Sequence, residues 1–341
     1  MSHRLCRPPV KGGSERSERG VGFWNSKRWA AMVLSLLFIG QALAQGKPVR
    51  LVVPFGAGGA PDVIARLMAP PMSEQLGATV VVDNRPGATG IIAAEYVKGS
   101  PPDGTTLFVA DTAHFAINPA LRQSLPYDPQ KDFVPVIEIA SSMVYVAVGE
   151  KTPAKSIQEL VALSKSRPQG VTYGSSGTGT PHHLSLELLK LQSGANFVHV
   201  PFKGVQQSVP ALLSGDVDVV VAGPASLLPH VKAGKVRMIA AVNPMRWSRM
   251  PEVPTIAQSG YSQFGLDITI GLLAPAGTPA DMVKRLNEAT ATVLRNPEVS
   301  GKANDIGLEM IAGKPEEFAR SMLRQREEYA KVVKAAGVKA D

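Results

Sequence analysis

The stretch RLVVPFGAGGAPD, Arg50 to Asp62, ends an apolar run in three glycines just ahead of a proline and an aspartate. Arg50 to Val53 read as a buried strand, Gly56, Gly58 and Gly59 permit a tight turn, and Pro61 and Asp62 suit the first turn of a helix. The first N–H groups of a helix lack partners and its dipole is positive there, so such a turn is suited to receive an anion. A second turn of the same kind follows in GSSGTGTPHH, Gly174 to His183, again between a strand and a helix with a proline near its start. The first turn does not make a G-x-G-x-x-G dinucleotide fingerprint, because position 61 is proline. The second misses the G-x-S-x-G elbow of serine hydrolases, because Thr178 stands in place of the last glycine. An exported, amidase-like hydrolase with Ser176 as nucleophile is therefore only a second reading. His182 and His183 with Glu187 invite a metal, since His183 and Glu187 share a helical face, but no third ligand follows at a suitable spacing. No metal and no cofactor is expected. His114, His199 and His230 read as loop or core histidines.

These turns need a scaffold, and the chain supplies strands alternating with helices. TVVVDN and TLFVAD follow the first strand, with helices from about Asp62 to Leu76 and up to Lys98. VPVIEIA and MVYVAVGE come next, and then a fresh series: a helix at 156–166, VTYGSS, a helix at 181–192, NFVHVPF, a short helix at 208–213, DVDVVVAG and RMIAAVN. The alternation predicts an α/β fold of mostly parallel sheets with helices on both faces. Helices expected at 279–295, 297–304 and 315–336 would cover the first lobe. The simplest layout is two lobes, 47–147 plus 264–341 and 148–263, joined at Val148–Thr152 and near Ser262–Ile268. Open α/β sheets bind ligands beyond the carboxyl ends of their strands, which would set the two glycine turns across one cleft.

The 341 residues suffice for two such lobes. Lys27 and Arg28 precede the apolar run Trp29 to Ala44, and Ala42-Leu43-Ala44 offers the small residues a signal peptidase reads, so export to the periplasm with cleavage after Ala44 is expected. Residues 1–44 hold seven of the 36 basic and two of the 28 acidic residues, which leaves the remainder near +3 rather than +8. A nucleic-acid partner thereby loses its electrostatic support. The single cysteine, Cys6, lies in the same segment, so the mature chain would have neither disulfide nor thiol nucleophile. A soluble monomer is expected.

PFGAGGAPD, DNRPGATG, PDGTTL, NPALRQSLPYDPQKDFVPV, HVPFKG, LPHVKAGKVRMIAAV, MPEVPTIAQSGY and APAGTP occur in order across the mature chain. Together they resemble the Bug family, the extracytoplasmic solute receptors of tripartite tricarboxylate transporters. The resemblance implies a type II periplasmic-binding-protein fold whose two α/β lobes close on a small organic carboxylate, gripped mainly by backbone amides and water. It implies a membrane transporter of that type as partner; the sensor input of a signalling system is a further alternative. Carried onto this chain, the first-lobe grip falls on Phe55, Gly58, Gly59, Ala60 and Asp62, with Thr112, Ala113 and His114 nearby. The second-lobe grip falls on Ser176, Gly177, Thr178 and Gly179 and on Phe202, Lys203 and Gly204, with Gly223 and Pro224 on the wall. Three departures stand out: Phe202 where the family usually has tyrosine, no acidic residue in VVVAGPAS, Val219 to Ser226, and Thr269 or Ile270 where many members place tryptophan. The missing acid argues against an amino acid and for a plain or aromatic carboxylate.

Overall fold

The computed structural model describes residues 47–339, and the expected signal segment lies outside them. The described residues form two sheets. The first, in the order β11-β4-β10-β3-β1-β2, comprises β1 (Val49–Val53), β2 (Val80–Asn84), β3 (Thr106–Asp111), β4 (Phe133–Ser142), β10 (Thr269–Pro275) and β11 (Leu308–Met310). The second, β7-β6-β8-β5-β9, comprises β5 (Tyr145–Gly149), β6 (Val171–Ser175), β7 (Phe197–Pro201), β8 (Val219–Ala222) and β9 (Val236–Ala241). Both sheets are mixed rather than mostly parallel. The pairs β1/β2, β1/β3, β6/β7 and β6/β8 are parallel, as the alternation predicted, while β10 runs against β3 and β4, and β5 against β8 and β9. The reversed strands β5 and β10 are the first each sheet receives after the chain crosses from the other. Such crossings have no local periodicity to betray them.

The strand Tyr145–Gly149 pairs within the second sheet, so the first crossing lies at Met143–Val144, one strand earlier than Val148. The return passes through the buried Phe264, Leu266 and Ile268 into β10. One side chain ties the crossings together. Asn243, fully buried, accepts from Val144 N–H (2.9 Å) and donates to Ser141 Oγ (3.1 Å), the Ser142 carbonyl (3.0 Å) and Asp267 Oδ1 (3.1 Å). Ser141 Oγ donates to the same carboxylate oxygen (2.7 Å), and Ser142 N–H to the Ile268 carbonyl (2.6 Å).

Three apolar clusters sandwich the sheets. One packs the helices Ala60–Leu76 and Ala280–Leu294 on the first sheet, through Ile64, Met68, Met72 and Leu286. Another lies under the second sheet, around Tyr145, Leu212 and Trp247. The largest spans both sheets: Phe108 from the first and Phe115 from the turn after it, Tyr173 and Phe197 from the second, and Phe318, Met322 and Tyr329 from the last helix, Pro315–Ala336. That helix was expected to cover the first lobe alone; it also packs on the second-lobe helix Pro181–Ser193. Its Tyr329 hydroxyl donates to the Asp267 carbonyl (3.1 Å).

An Asn243→Ala variant is expected to lose about 2–3 kcal/mol of stability in urea denaturation, because it strands the buried Val144 N–H and takes a donor from three oxygens.

Candidate functional site

The first-lobe turn leaves β1 and enters the helix Ala60–Leu76, with Gly59 as an extended N-cap and Pro61 in the first turn. Gly58 takes φ +91°, where a side chain would be strained. Asp62 holds this turn rather than facing a ligand. It is buried, accepts from Gly58 N–H (2.9 Å), Asn84 Nδ2 (2.8 Å) and Arg66 Nε (3.0 Å), and so fixes the turn against the end of β2. Burial alone would raise its pKa, but the bonds from Arg66, Gly58 and Asn84 together hold it below the ordinary carboxylate value. With Gly58 N–H consumed, the N–H groups of Gly59, Ala60 and Asp62 have no acceptor among the described residues. Those donors sit at the start of the helix.

Thr112, Ala113 and His114 make bonds or ring contacts within the first lobe. Thr112 is fully buried, its hydroxyl donating to Gln325 Oε1 (2.8 Å) and accepting from Thr269 N–H (2.9 Å), so it ties β3 to β10 and to the last helix. Ala113 N–H is spent on Asp111 Oδ1 (2.9 Å). His114 is buried, edge-on to Phe55 and Phe108, with Nδ1 2.7 Å from Asp111 Oδ1. The chain here makes a π-turn, Ala113–Ile117, before the short helix Asn118–Leu121.

The segment DNRPGATG, quoted from the sequence only for the resemblance, lies beside these residues. Gly87, Ala88, Thr89 and Gly90 all have positive φ, at 130°, 47°, 52° and 84°, and Gly87 to Thr89 are exposed at the strands' carboxyl edge. Two consecutive non-glycine residues in that region are strained. Asn118 Nδ2 holds the Thr89 carbonyl (3.1 Å), and Arg122 Nη2 holds its hydroxyl (3.0 Å). Two adjoining glycines were the available signal; nothing in Ala88-Thr89 announces the backbone they adopt.

In the second lobe, Ser176 to Gly179 leave β6 and enter the helix Pro181–Ser193, capped by the Thr180 hydroxyl. Gly177 N–H donates to Ser175 Oγ (3.1 Å) and Gly179 N–H to His183 Nδ1 (3.0 Å), so two of the expected donors serve the turn itself. Ser176 and Thr178 N–H remain without an acceptor among the described residues. Beneath the turn, His183 and His199 stack at 3.7 Å, His199 Nε2 lies 2.7 Å from Ser175 Oγ, and Tyr173 bonds Glu187 (2.7 Å). His183 and Glu187 thus take different partners; among the described residues no group of three potential metal ligands occurs.

Phe202 lays its ring against Gly174, Lys203 is exposed, and Gly204, at φ +104°, starts the helix Val205–Ser214. Gly223 and Pro224 open the helix Pro224–Lys232, read in the sequence only as a wall loop. Pro224 is buried against Gly307 of the first lobe, so the pair belongs to the packing beside the crossing strands. Across the cleft the lobes meet where Leu121 seats on Gly179, leaving no room for a Cβ there.

Two sheets joined by crossing strands, each presenting glycine turns with unengaged N–H groups at its strands' carboxyl ends, define a bilobal solute receptor. The chain belongs to the tripartite tricarboxylate transporter family receptors, TctC, whose model matches residues 64–338. Receptors of this family are periplasmic, and they are not enzymes. The chain is 31% identical to Protein BugT of Bordetella pertussis, over 86% of this chain and 90% of that one. Among solved structures it resembles an R. palustris protein with adipate (34% identity, TM-score 0.77, 86% and 98% covered). It also resembles MatC of Rhodopseudomonas palustris with bound malate (30% identity, TM-score 0.73, 84% and 98% covered).

The stacked histidines set a pH dependence. Burial lowers the pKa of His183 and of His199 to about 4, from 6.5. Between those values the unfolded chain binds more protons than the folded one. Stability is therefore fully present above about pH 6.5 and falls as pH drops toward 4, by up to about 1.4 kcal/mol per pH unit for each imidazole. Urea titrations from pH 7 to pH 4 are expected to trace this decline, with a shallower slope in a His183→Gln variant.

Proposed function

We propose that the cleft captures one small organic carboxylate by backbone N–H donors from both lobes and delivers it, after export to the periplasm, to a tripartite tricarboxylate-type membrane transporter. The observation that carries this is a glycine turn with donors to spare in each lobe, Gly59, Ala60 and Asp62 in one and Ser176 and Thr178 in the other. Charge-assisted bonds to such donors are short and strong in a partly dried cleft. Two donor sets suit the two ends of a dicarboxylate, in keeping with the adipate and malate bound by the two structural relatives. Signal-peptide cleavage after Ala44 and a monomeric receptor complete the reading.

Nothing observed favours the hydrolase reading. Ser176 Oγ does meet an imidazole, at 2.6 Å from His182 Nδ1, but no carboxylate bonds the other ring nitrogen among the described residues. A serine nucleophile needs its base oriented by such a third group.

A thermal-shift screen against mono-, di- and tricarboxylates, aromatic acids and acidic amino acids tests the proposal. A true ligand at a hundred times its Kd is expected to add about 2.7 kcal/mol of stability without turnover. Gly59→Val is expected to abolish the shift while the unliganded melting temperature holds. Gly59 sits at φ −73°, which valine tolerates, and a Cβ there has only ordinary contacts of 3.9–4.0 Å, so the side chain would fill the ligand's space. Gly179→Val is not a clean partner to it, because position 179 combines φ +74° with the seat of Leu121. Normal affinity in Gly59→Val would remove the first-lobe turn from the site.

A further inference from the structure

We propose that Leu121 is the latch of this receptor: seated on Gly179 of the opposite lobe, it holds the cleft shut and slows the escape of the ligand. The proposal deepens the reading of the cleft as a two-lobed carboxylate site and rests on it.

The contact joins the lobes at the second glycine turn. Leu121 Cγ and Cδ2 come within 3.8 Å of the place a Cβ would take at Gly179, and Leu121 Cδ1 would overlap it outright. Position 179 therefore needs glycine twice over, for the seat and for its φ of +74°. The seat itself is firmly held. Gly179 N–H donates to His183 Nδ1 (3.0 Å), and the Gly177 carbonyl accepts from Thr180 Oγ1 (2.7 Å) and Ser175 Oγ (3.1 Å). Its neighbour in the chain, Thr178, carries an N–H without an acceptor among the described residues. A side chain that presses on Gly179 thus helps to set where that donor lies.

The other partner is held as firmly. Leu121 ends the short helix Asn118–Leu121, which packs on the last helix, Pro315–Ala336. Asn118 is buried and donates from Nδ2 to the Thr89 carbonyl (3.1 Å) and to the Tyr127 hydroxyl (3.3 Å), which itself donates to the His114 carbonyl (2.8 Å). Arg122 Nη2 donates to Thr89 Oγ1 (3.0 Å). One short helix thereby links the strained turn of the first lobe to the glycine turn of the second.

The character of the contact suits a part that opens. Beside the strand crossings the lobes are tied by polar bonds: the Trp247 indole N–H to Asn304 Oδ1, Ser248 N–H and Oγ–H to Glu309 Oε1 (3.0 and 2.7 Å), and Met143 N–H to the Gly307 carbonyl (2.7 Å). No hydrogen bond or ion pair joins the helix Asn118–Leu121 to the turn Gly174–His183 among the described residues. Leu121 is half-buried, so parting it from Gly179 exposes a small apolar area and strands no polar group. The latch can open and reclose at small cost, yet a ligand held between the two turns leaves only after it has parted.

The test uses the chain from residue 45 onward with Leu121→Ala and Leu121→Met, and adipate and malate as probes. In surface plasmon resonance Leu121→Ala is expected to release the acid that binds about tenfold faster, with an association rate constant within about twofold of the unaltered protein. The unliganded melting temperature is expected to hold, and Leu121→Met to restore slow release. Gly179→Ala is expected to speed release less in the Leu121→Ala background than in the unaltered one; its backbone strain is common to both, so the difference reads the seat. Because the only cysteine is Cys6, spin labels at the exposed positions Lys131→Cys in the first lobe and Gln206→Cys in the second report the separation of the lobes without ligand. Leu121→Ala is expected to shift that separation to longer distances. Release at the original rate, or an unshifted separation, overturns the latch and leaves the carboxylate reading standing. Absence of binding by both acids and by every carboxylate of the thermal-shift screen overturns the carboxylate reading, and the spin-label separation then decides the latch.

Discussion

The architecture depends on the buried amide of Asn243. Two strand crossings must run side by side between the sheets, and each leaves backbone groups that neither sheet can satisfy. Asn243 takes the Val144 N–H from one side and gives its own protons to Ser141, Ser142 and Asp267 on the other. Left unpaired, such buried groups cost far more than a bond between them gains, so the amide fixes where the chain leaves one lobe and re-enters it. The position of β5 in the second sheet and of β10 in the first follows from that fixed point, and with it the direction in which both glycine turns face.

The turns then follow a common plan. Each spends some of its N–H groups on its own side chains, Gly58 on Asp62, Gly177 on Ser175 and Gly179 on His183, and thereby holds the neighbouring N–H groups ready. The residues that looked chemical in isolation are mostly the ones doing the holding. Asp62 secures a loop, Thr112 ties two strands to the last helix, and His183 completes a turn from below. The groups left to meet a ligand are main-chain amides and the few side chains on the rim.

Much of this was legible in the sequence, and the illegible parts share a cause. Local period and glycine-proline punctuation revealed the strands at 49–53, 80–84 and 106–111 and both glycine turns, because those signals lie within a dozen residues of one another. The antiparallel entry of β5, the short strand Leu308–Met310 and the packing of the helix Pro315–Ala336 on both lobes depend on contacts between residues far apart in the chain. The same limit applied within the site. Glycines marked which turns were permissive, but the carboxylate that consumes Gly58 N–H and the imidazole that consumes Gly179 N–H could be assigned only from geometry. Ala88 and Thr89, forced to positive φ between two glycines, carry no mark of it in their side chains.

The large cluster beneath the last helix has a consequence for how the lobes can move. Phe318, Met322 and Tyr329 share one apolar interior with Leu184, Leu186 and Tyr173, so besides the core that each lobe keeps to itself the two hold a third, larger one in common. Opening of the cleft cannot be a separation of two finished bodies. It has to be a rotation about an axis close to that interior, where the displacement of packed side chains is small and the displacement of the cleft mouth is large. The last helix then behaves as the spine of a book, and a break in it would loosen the binding and the folding of both covers together.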